Sequence, residues 1–243
     1  MPDAAILLPL AAAAVLAGAV RGFSGFGAAM TFVPVAAVVV GPPAAVILIF
    51  VLDLLPSWAL VPGAARRCAW REVLPLAAGA AITIPIGAWL LVSADPLALR
   101  WAMPILSLLA VGLLASGWRY ARVPGRALSG LVGGTAGFLG GLTSFYGPPI
   151  VLFWLGGPGK HGAVRANLIV FFAFTSLIGG MAYAWHGLLG RDLIVLGLVL
   201  LPAYATAIWL GSHLFGRASE ATFRRFAYGL IALAALISLP VWQ

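Results

Sequence analysis

From residue 73 to residue 92 the chain runs without a charged side chain, and it does so again over residues 101–118, 166–185, 193–212 and 226–242. Residues 43–61 form a similar run that contains one acid, Asp53. A hydrocarbon core about 30 Å thick takes roughly 20 apolar residues per helix, so these runs have the length and chemistry of membrane spans. In lipid the main chain must satisfy its own polar groups, which for runs like these means helices. The composition agrees, since 63% hydrophobic and 8% charged residues would leave a water-soluble fold with large exposed apolar patches. The expected class is all-α: a polytopic helical membrane protein whose constant partner is the lipid bilayer.

Two further blocks, residues 4–40 and 127–157, are too long for a single pass, and glycine interrupts both. The first interruption is Arg21-Gly22-Phe23-Ser24-Gly25-Phe26-Gly27. A step of about 115 residues carries Gly18, Gly22, Phe23, Gly25 and Pro34 onto Gly133, Gly137, Phe138, Gly140 and Pro149, in register and without a gap, which is the signature of an internal repeat. Each block reads as a broken or re-entrant helical hairpin with short arms. One hairpin plus three full spans gives about five segments per repeat, the first over residues 1–122 and the second over 123–243, in a single integrated membrane domain.

Charge placement tests this count, because Lys and Arg gather at cytoplasmic ends. With five segments per half, every one of the 14 basic residues except Arg100 and Arg191 falls on one side, and those two have acids nearby, Asp95 and Asp192. The loop at 66–71 is basic where its counterpart near Arg191 is weak, and the loop at 95–100 is weak where its counterpart at 217–225 is basic. An odd number of passes turns the second copy over, so the swap is what two inverted repeats produce, with both termini outside. An eight-helix scheme with parallel halves leaves the swap unexplained. Residues 4–20 have the apolar character of a secretory signal, but Met1-Pro2-Asp3 lacks its positive region, and the repeat begins inside the segment; it is expected to stay in the mature protein.

Inverted repeats with discontinuous helices are a common design of secondary transporters. At the first break, Gly22, Gly25 and Gly27 allow tight turning, a helix starting after Gly27 presents free N–H groups, and Ser24 and Arg21 add a hydroxyl and a cationic fork. The second break offers Gly140, Gly141, Thr143, Ser144 and Tyr146 ahead of Pro148-Pro149. Together they read as a cradle for a small anionic substrate, since helix N-termini attract anions. The plainer alternatives are helix packing for the glycines, a topogenic charge for Arg21 and an interfacial anchor for Tyr146.

Asp53 is the acid placed well inside an apolar run, and the repeat offset places it beside Asn167, its neutral counterpart. An intramembrane carboxyl is a functional candidate, so the pair are coupling candidates, Asp53 carrying a proton or binding sodium. The alternative for Asp53 is a helix-end group bonded to a carbonyl freed near Pro56. His161, His186 and His213 lack metal-ligand spacing and lie near segment ends, so no metal and no cofactor is expected. Cys68 alone supports no disulfide framework. A formal net charge of +8 without a basic stripe does not make a nucleic-acid binder. No phosphate-binding loop and no Ser/His/Asp set is present, and an enzyme is not expected.

The motif Gly22-Phe23-Ser24-Gly25-Phe26-Gly27 with Pro34, and its second copy Gly133-Gly134-Thr135-Ala136-Gly137-Phe138-Leu139-Gly140-Gly141 with Pro148-Pro149, resemble the TauE/SafE family of sulfite exporters, also called the toluene sulfonate uptake permease family. The similarity covers nearly the whole chain. Here Ala28, Ala29 and Met30 follow the first motif where the family carries more glycine, and Thr143-Ser144-Phe145-Tyr146 follows Gly140-Gly141-Leu142 where its second motif is richer in glycine. The resemblance implies a multi-pass inner-membrane permease for sulfite, a sulfonate or a related organosulfur anion. A passive anion channel, or a membrane-embedded accessory protein or enzyme of sulfur metabolism, is the alternative. Short hairpin arms are easier to shield from lipid in a homodimer, an assembly this pattern allows.

Overall fold

The computed structural model describes residues 4–59, 61–117, 125–155, 161–214 and 220–242, and within these the side chains of residues 23, 24, 155, 161–163, 165, 214, 220–227 and 242 are not described. Every regular element among them is helical: α1 Ala4–Ser24, α2 Ala28–Val40, α3 Pro42–Trp58, α4 Val61–Ala65, α5 Trp70–Ser93, α6 Pro96–Ala115, α7 Arg126–Thr143, α8 Gly147–Leu155, α9 His161–Trp185, α10 Arg191–Leu214 and α11 Glu220–Ile237, with a short 3-10 turn at Pro240–Trp242. Five helical segments are long and apolar enough to cross a membrane: Ala4–Gly22, Trp70–Ser93, Pro96–Ala115, Ala166–Trp185 and Arg191–His213. The all-helical membrane architecture expected from the apolar runs is therefore what the chain builds.

Two details differ from that expectation. The first arm of the N-terminal hairpin is not short, because nothing in its alanine- and leucine-rich sequence stops a helix before the Gly25 turn, and α1 reaches 21 residues. The run at 43–61 does not complete a full span as one helix: α3 ends at Trp58, after Pro56, and α4 starts afresh at Val61. Pro85, Pro104 and Pro202 lie inside continuous helices, where membrane helices tolerate them because neighbouring groups re-satisfy the freed carbonyls.

The chain forms two compact units. The first comprises Met1–Leu52, Ala94–Ala115 and Leu188–Gln243. In it α1 packs along α10, and α11 packs on α2 and α6. Gly18 faces Tyr204 and Gly22 faces Ile208, so the two helices rise in the same direction and are parallel. At both glycines a β-carbon would overlap the facing main chain. Leu10, Ala14, Ala17, Phe32 and Tyr204 are fully buried here. Arg100 on α6 donates from Nη2 to the Val38 carbonyl at 2.9 Å, near the C-terminal end of α2, where a cation suits the helix dipole. The Asp95 carboxylate instead accepts from the Ala98 N–H at 2.9 Å, as an N-terminal cap of α6.

The second unit comprises Asp53–Ser93 and Ser116–Gly187. Its centre is α5 against α7, again parallel: Gly133 meets Leu76, Gly137 meets Ala80 and Gly141 meets Ile84, while Gly79 and Gly87 on α5 meet Gly130 and Phe138. Glycine on both helices lets the backbones approach closely, which in lipid replaces the hydrophobic drive for association. Thr83 donates from Oγ1 to the Gly134 carbonyl at 2.7 Å and joins the pair. The helix α9 packs on α5 and α4, and α8 on α7 and α9.

Candidate functional site

The two helix breaks fall in different units. In the first, α1 ends where Gly25 adopts φ 76° and its N–H bonds the Arg21 carbonyl at 2.7 Å. This is the glycine-terminated helix end that an L side chain would strain. Gly27, at φ 87°, starts α2. Its carbonyl accepts the Thr31 N–H at 3.2 Å and the Thr31 hydroxyl at 3.1 Å, so the N–H groups of Ala28, Ala29 and Met30 have no acceptor inside the helix. Arg21 is half-buried in the last turn of α1, and Gly25 is exposed with open space where a β-carbon would stand. The Ser24 side chain lies outside the described residues. Gly22 turns the other way, against Ile208, and serves helix packing.

The second break is built differently. α7 ends at Ser144, a non-glycine residue with φ 61° whose N–H bonds the Gly140 carbonyl at 2.7 Å. Thr143 is buried; its hydroxyl donates to the Leu139 carbonyl at 2.7 Å and accepts the Phe145 N–H at 3.3 Å. The Tyr146 ring fills the space beside Gly140, and its hydroxyl lies against Gly179 of α9. Gly141, like Gly22, is spent on packing, against Ile84. The following helix begins Gly147-Pro148-Pro149, so two of its first four residues have no N–H to offer.

A residue that local pattern does not reveal completes this break. Tyr183 on α9 is 0% exposed, and its hydroxyl donates to the carbonyls of Gly140, at 3.1 Å, and Gly141, at 3.2 Å. The available signal is a tyrosine soon after Gly179-Gly180 in an otherwise apolar span, which becomes informative only once α7 and α9 are known to touch.

The coupling candidates separate in role. Asp53, half-buried on α3, accepts from the Ser57 hydroxyl at 3.3 Å, one helical turn on. Asn167, 1% exposed on α9, accepts the Ala69 N–H at 2.8 Å through Oδ1 and donates through Nδ2 to Glu72 at 3.3 Å. The Trp154 indole N–H reaches the same Glu72 oxygen at 3.1 Å. Asn167 thereby ties the start of α5 to α8 and α9. Among the described residues no group of three or more His, Cys, Asp or Glu side chains could hold a metal ion.

The family model for the sulfite exporter TauE/SafE matches residues 10–237, from the first arm of one hairpin to the end of α11. The chain belongs to the TauE/SafE sulfite exporter family. A curated relative, the "Probable sulfite/organosulfonate exporter TauE" of Cupriavidus necator, is 28% identical over 247 residues, covering 98% of this chain and 96% of its own length. No solved structure matches the chain. As a TauE/SafE protein it is a multi-pass membrane transporter of small sulfur anions and not an enzyme. In TauE/SafE terms, the motif glycines of this chain divide into those that join helices, Gly22 and Gly141, and those that shape a break, Gly25 and Gly27.

Proposed function

We propose that this protein is a secondary transporter that moves sulfite, or a sulfonate of similar size, across the inner membrane. The observation that carries this reading is the pair of helix breaks at Gly25–Gly27 and Ser144–Tyr146, where main-chain groups leave the helix ladder inside otherwise apolar segments. Freed backbone is tolerated at membrane depth where it is buried or lines a cavity, and transporters of this kind bind substrate at discontinuous helices.

At the first break the contacts are the Arg21 guanidinium, the N–H groups opening α2, and the Gly25 and Gly27 backbone. Gly22 supports them from behind. At the second they are Ser144 and Tyr146, with Thr143, Gly140 and Gly141 holding their backbone. Asp53 is the coupling group, taking a proton or sodium, with Asn167 holding the helices packed beside α5. Residues 1–122 and 123–243 act as inverted repeats. This is supported by the recurrence, in each compact unit, of one arrangement: the first arm of a hairpin lies parallel to a span from the other half of the sequence, α1 with α10 and α7 with α5.

The test is flux of radiolabelled sulfite in proteoliposomes of the purified protein, with imposed pH or sodium gradients. Uphill accumulation driven by either gradient is expected. Flux that only ever runs downhill would make the protein a passive channel, and no sulfite or sulfonate flux at all would refute the assignment.

A further inference from the structure

A proline inside a helix supplies no N–H, so the carbonyl four residues earlier loses its ladder partner. In α2 the proline is Pro34, and the carbonyl it frees is that of Met30. The Ser107 hydroxyl of α6 donates to this carbonyl at 3.3 Å and shares its proton with the Met103 carbonyl of its own helix at 3.0 Å. The two acceptors differ in need. Met103 has a ladder donor in the main-chain N–H of Ser107 itself, four residues on, whereas Met30 has none. Ser107 is 0% exposed and Met30 1%, so the contact is made inside the protein, and hydroxyls of this kind re-satisfy proline-freed carbonyls in membrane helices.

The far end of α2 is held from the same helix. Arg100 donates to the Val38 carbonyl at 2.9 Å, and the ladder donor for Val38 would fall at Pro42, which again has no N–H. Arg100 and Ser107 lie two turns apart on α6, about 10 Å, and Met30 and Val38 slightly more than two turns apart on α2, about 12 Å, at the helical rise. The two contacts therefore match in spacing, with the helices antiparallel. Of the pair, Ser107 grips the first turn of α2, where the N–H groups of Ala28, Ala29 and Met30 have no acceptor within the helix.

Resting on the transport reading above, we propose that Ser107 is a positioning residue for the substrate: by holding the Met30 carbonyl that Pro34 frees, it fixes the first turn of α2 and the N–H groups which that turn offers to a sulfur oxyanion. It touches no substrate itself. Without the hydroxyl, α2 is still anchored at Val38, but its first turn is released, and the fraction of protein with those N–H groups in place falls. Apparent affinity falls by the same factor.

The experiment is sulfite uptake into proteoliposomes by the wild type, Ser107→Ala, Pro34→Ala and the double variant, with melting temperatures measured on all four. Ser107→Ala is expected to raise KM about two- to tenfold, the worth of one hydrogen bond expressed as an equilibrium, with maximal rate within about twofold. In the Pro34→Ala background residue 34 regains an N–H for the Met30 carbonyl, and loss of the Ser107 hydroxyl is expected to change KM by less than about twofold. An unchanged KM in Ser107→Ala overturns the proposal, even where melting falls, since that marks a contact for folding alone. An equal rise in both backgrounds also overturns it, because the hydroxyl then acts elsewhere than on Met30. So does a maximal rate that falls in step with affinity. Absence of sulfite flux in the wild type is a separate outcome: it refutes the transport reading on which the proposal stands.

Discussion

Gly22 on α1 faces the main-chain carbonyl of Ile208 on α10 so closely that a β-carbon would overlap it. The contact is with backbone, which cannot swing aside as a long side chain can. Gly22→Ala is therefore expected to cost about 1–3 kcal/mol, the range for overpacking, and to lower the melting temperature measurably in detergent. Gly112→Ala is the matched comparison, because Gly112 sits in α6 with open space around its β position. It is expected to melt at or slightly above the wild type, as alanine outranks glycine in a helix by up to about 1 kcal/mol.

Gly25 and Arg21 separate transport from folding. Gly25 has φ 76° and nothing within 4 Å of its β position, so a larger residue fits at the cost of left-handed strain, about 1–2 kcal/mol. Gly25→Leu and Arg21→Ala are each expected to abolish sulfite flux while membrane expression is retained. Wild-type flux in either variant would remove the first break from the substrate path.

Asn167 links Ala69 to Glu72, and its replacement acts on stability. Asn167→Leu leaves the half-buried Ala69 N–H without its acceptor and is expected to cost about 1 kcal/mol. Asn167→Asp keeps an acceptor for Ala69 but sets a second carboxylate against Glu72. Two like charges at this range repel. The variant is thus expected to melt lower than the wild type at neutral pH; melting curves of the two proteins in detergent decide it.

Cys68 lies in the loop ahead of α5, half-buried, and its thiol is held above the ordinary range, first by burial and then by the negative charge of Glu72. A raised pKa means less thiolate at any given pH. Maleimide labelling at neutral pH is expected to be slower than for a free thiol, and its rate is expected to keep climbing above about pH 8.5, where an ordinary cysteine is already half ionised. Glu72→Gln should speed labelling only modestly, because burial is the larger cause.

The breaks were legible in the sequence because glycine and proline act locally: Gly25, Gly27 and the Pro148-Pro149 pair interrupt a helix wherever the chain goes. The spans were legible because hydrocarbon imposes a length. What stayed hidden depends on contacts far apart in the chain. Nothing near Gly22 announces Ile208, nothing near Gly140 announces Tyr183, and the glycine motif alone does not say which members turn a corner and which admit a neighbour. Arg100 is a further case: Asp95, near it in sequence, caps its own helix, while Arg100 reaches back to Val38. Asp53 shows the opposite case: the Ser57 hydroxyl donates to it from one helical turn away, a local contact, where the sequence pointed to a carbonyl freed near Pro56.

The parallel pairing of α1 with α10 also sets an order of events during synthesis. Chains emerge N-terminus first, so α1 is inserted long before residues 191–214 exist to receive Gly18 and Gly22. Until then its small-residue face has only lipid against it, and a ribosome stalled before α10 leaves the N-terminal helix without that partner. The α7 glycines find α5 already in place. The C-terminal half of the chain thus completes both pairs, and quality control of the nascent protein has its longest exposure at α1.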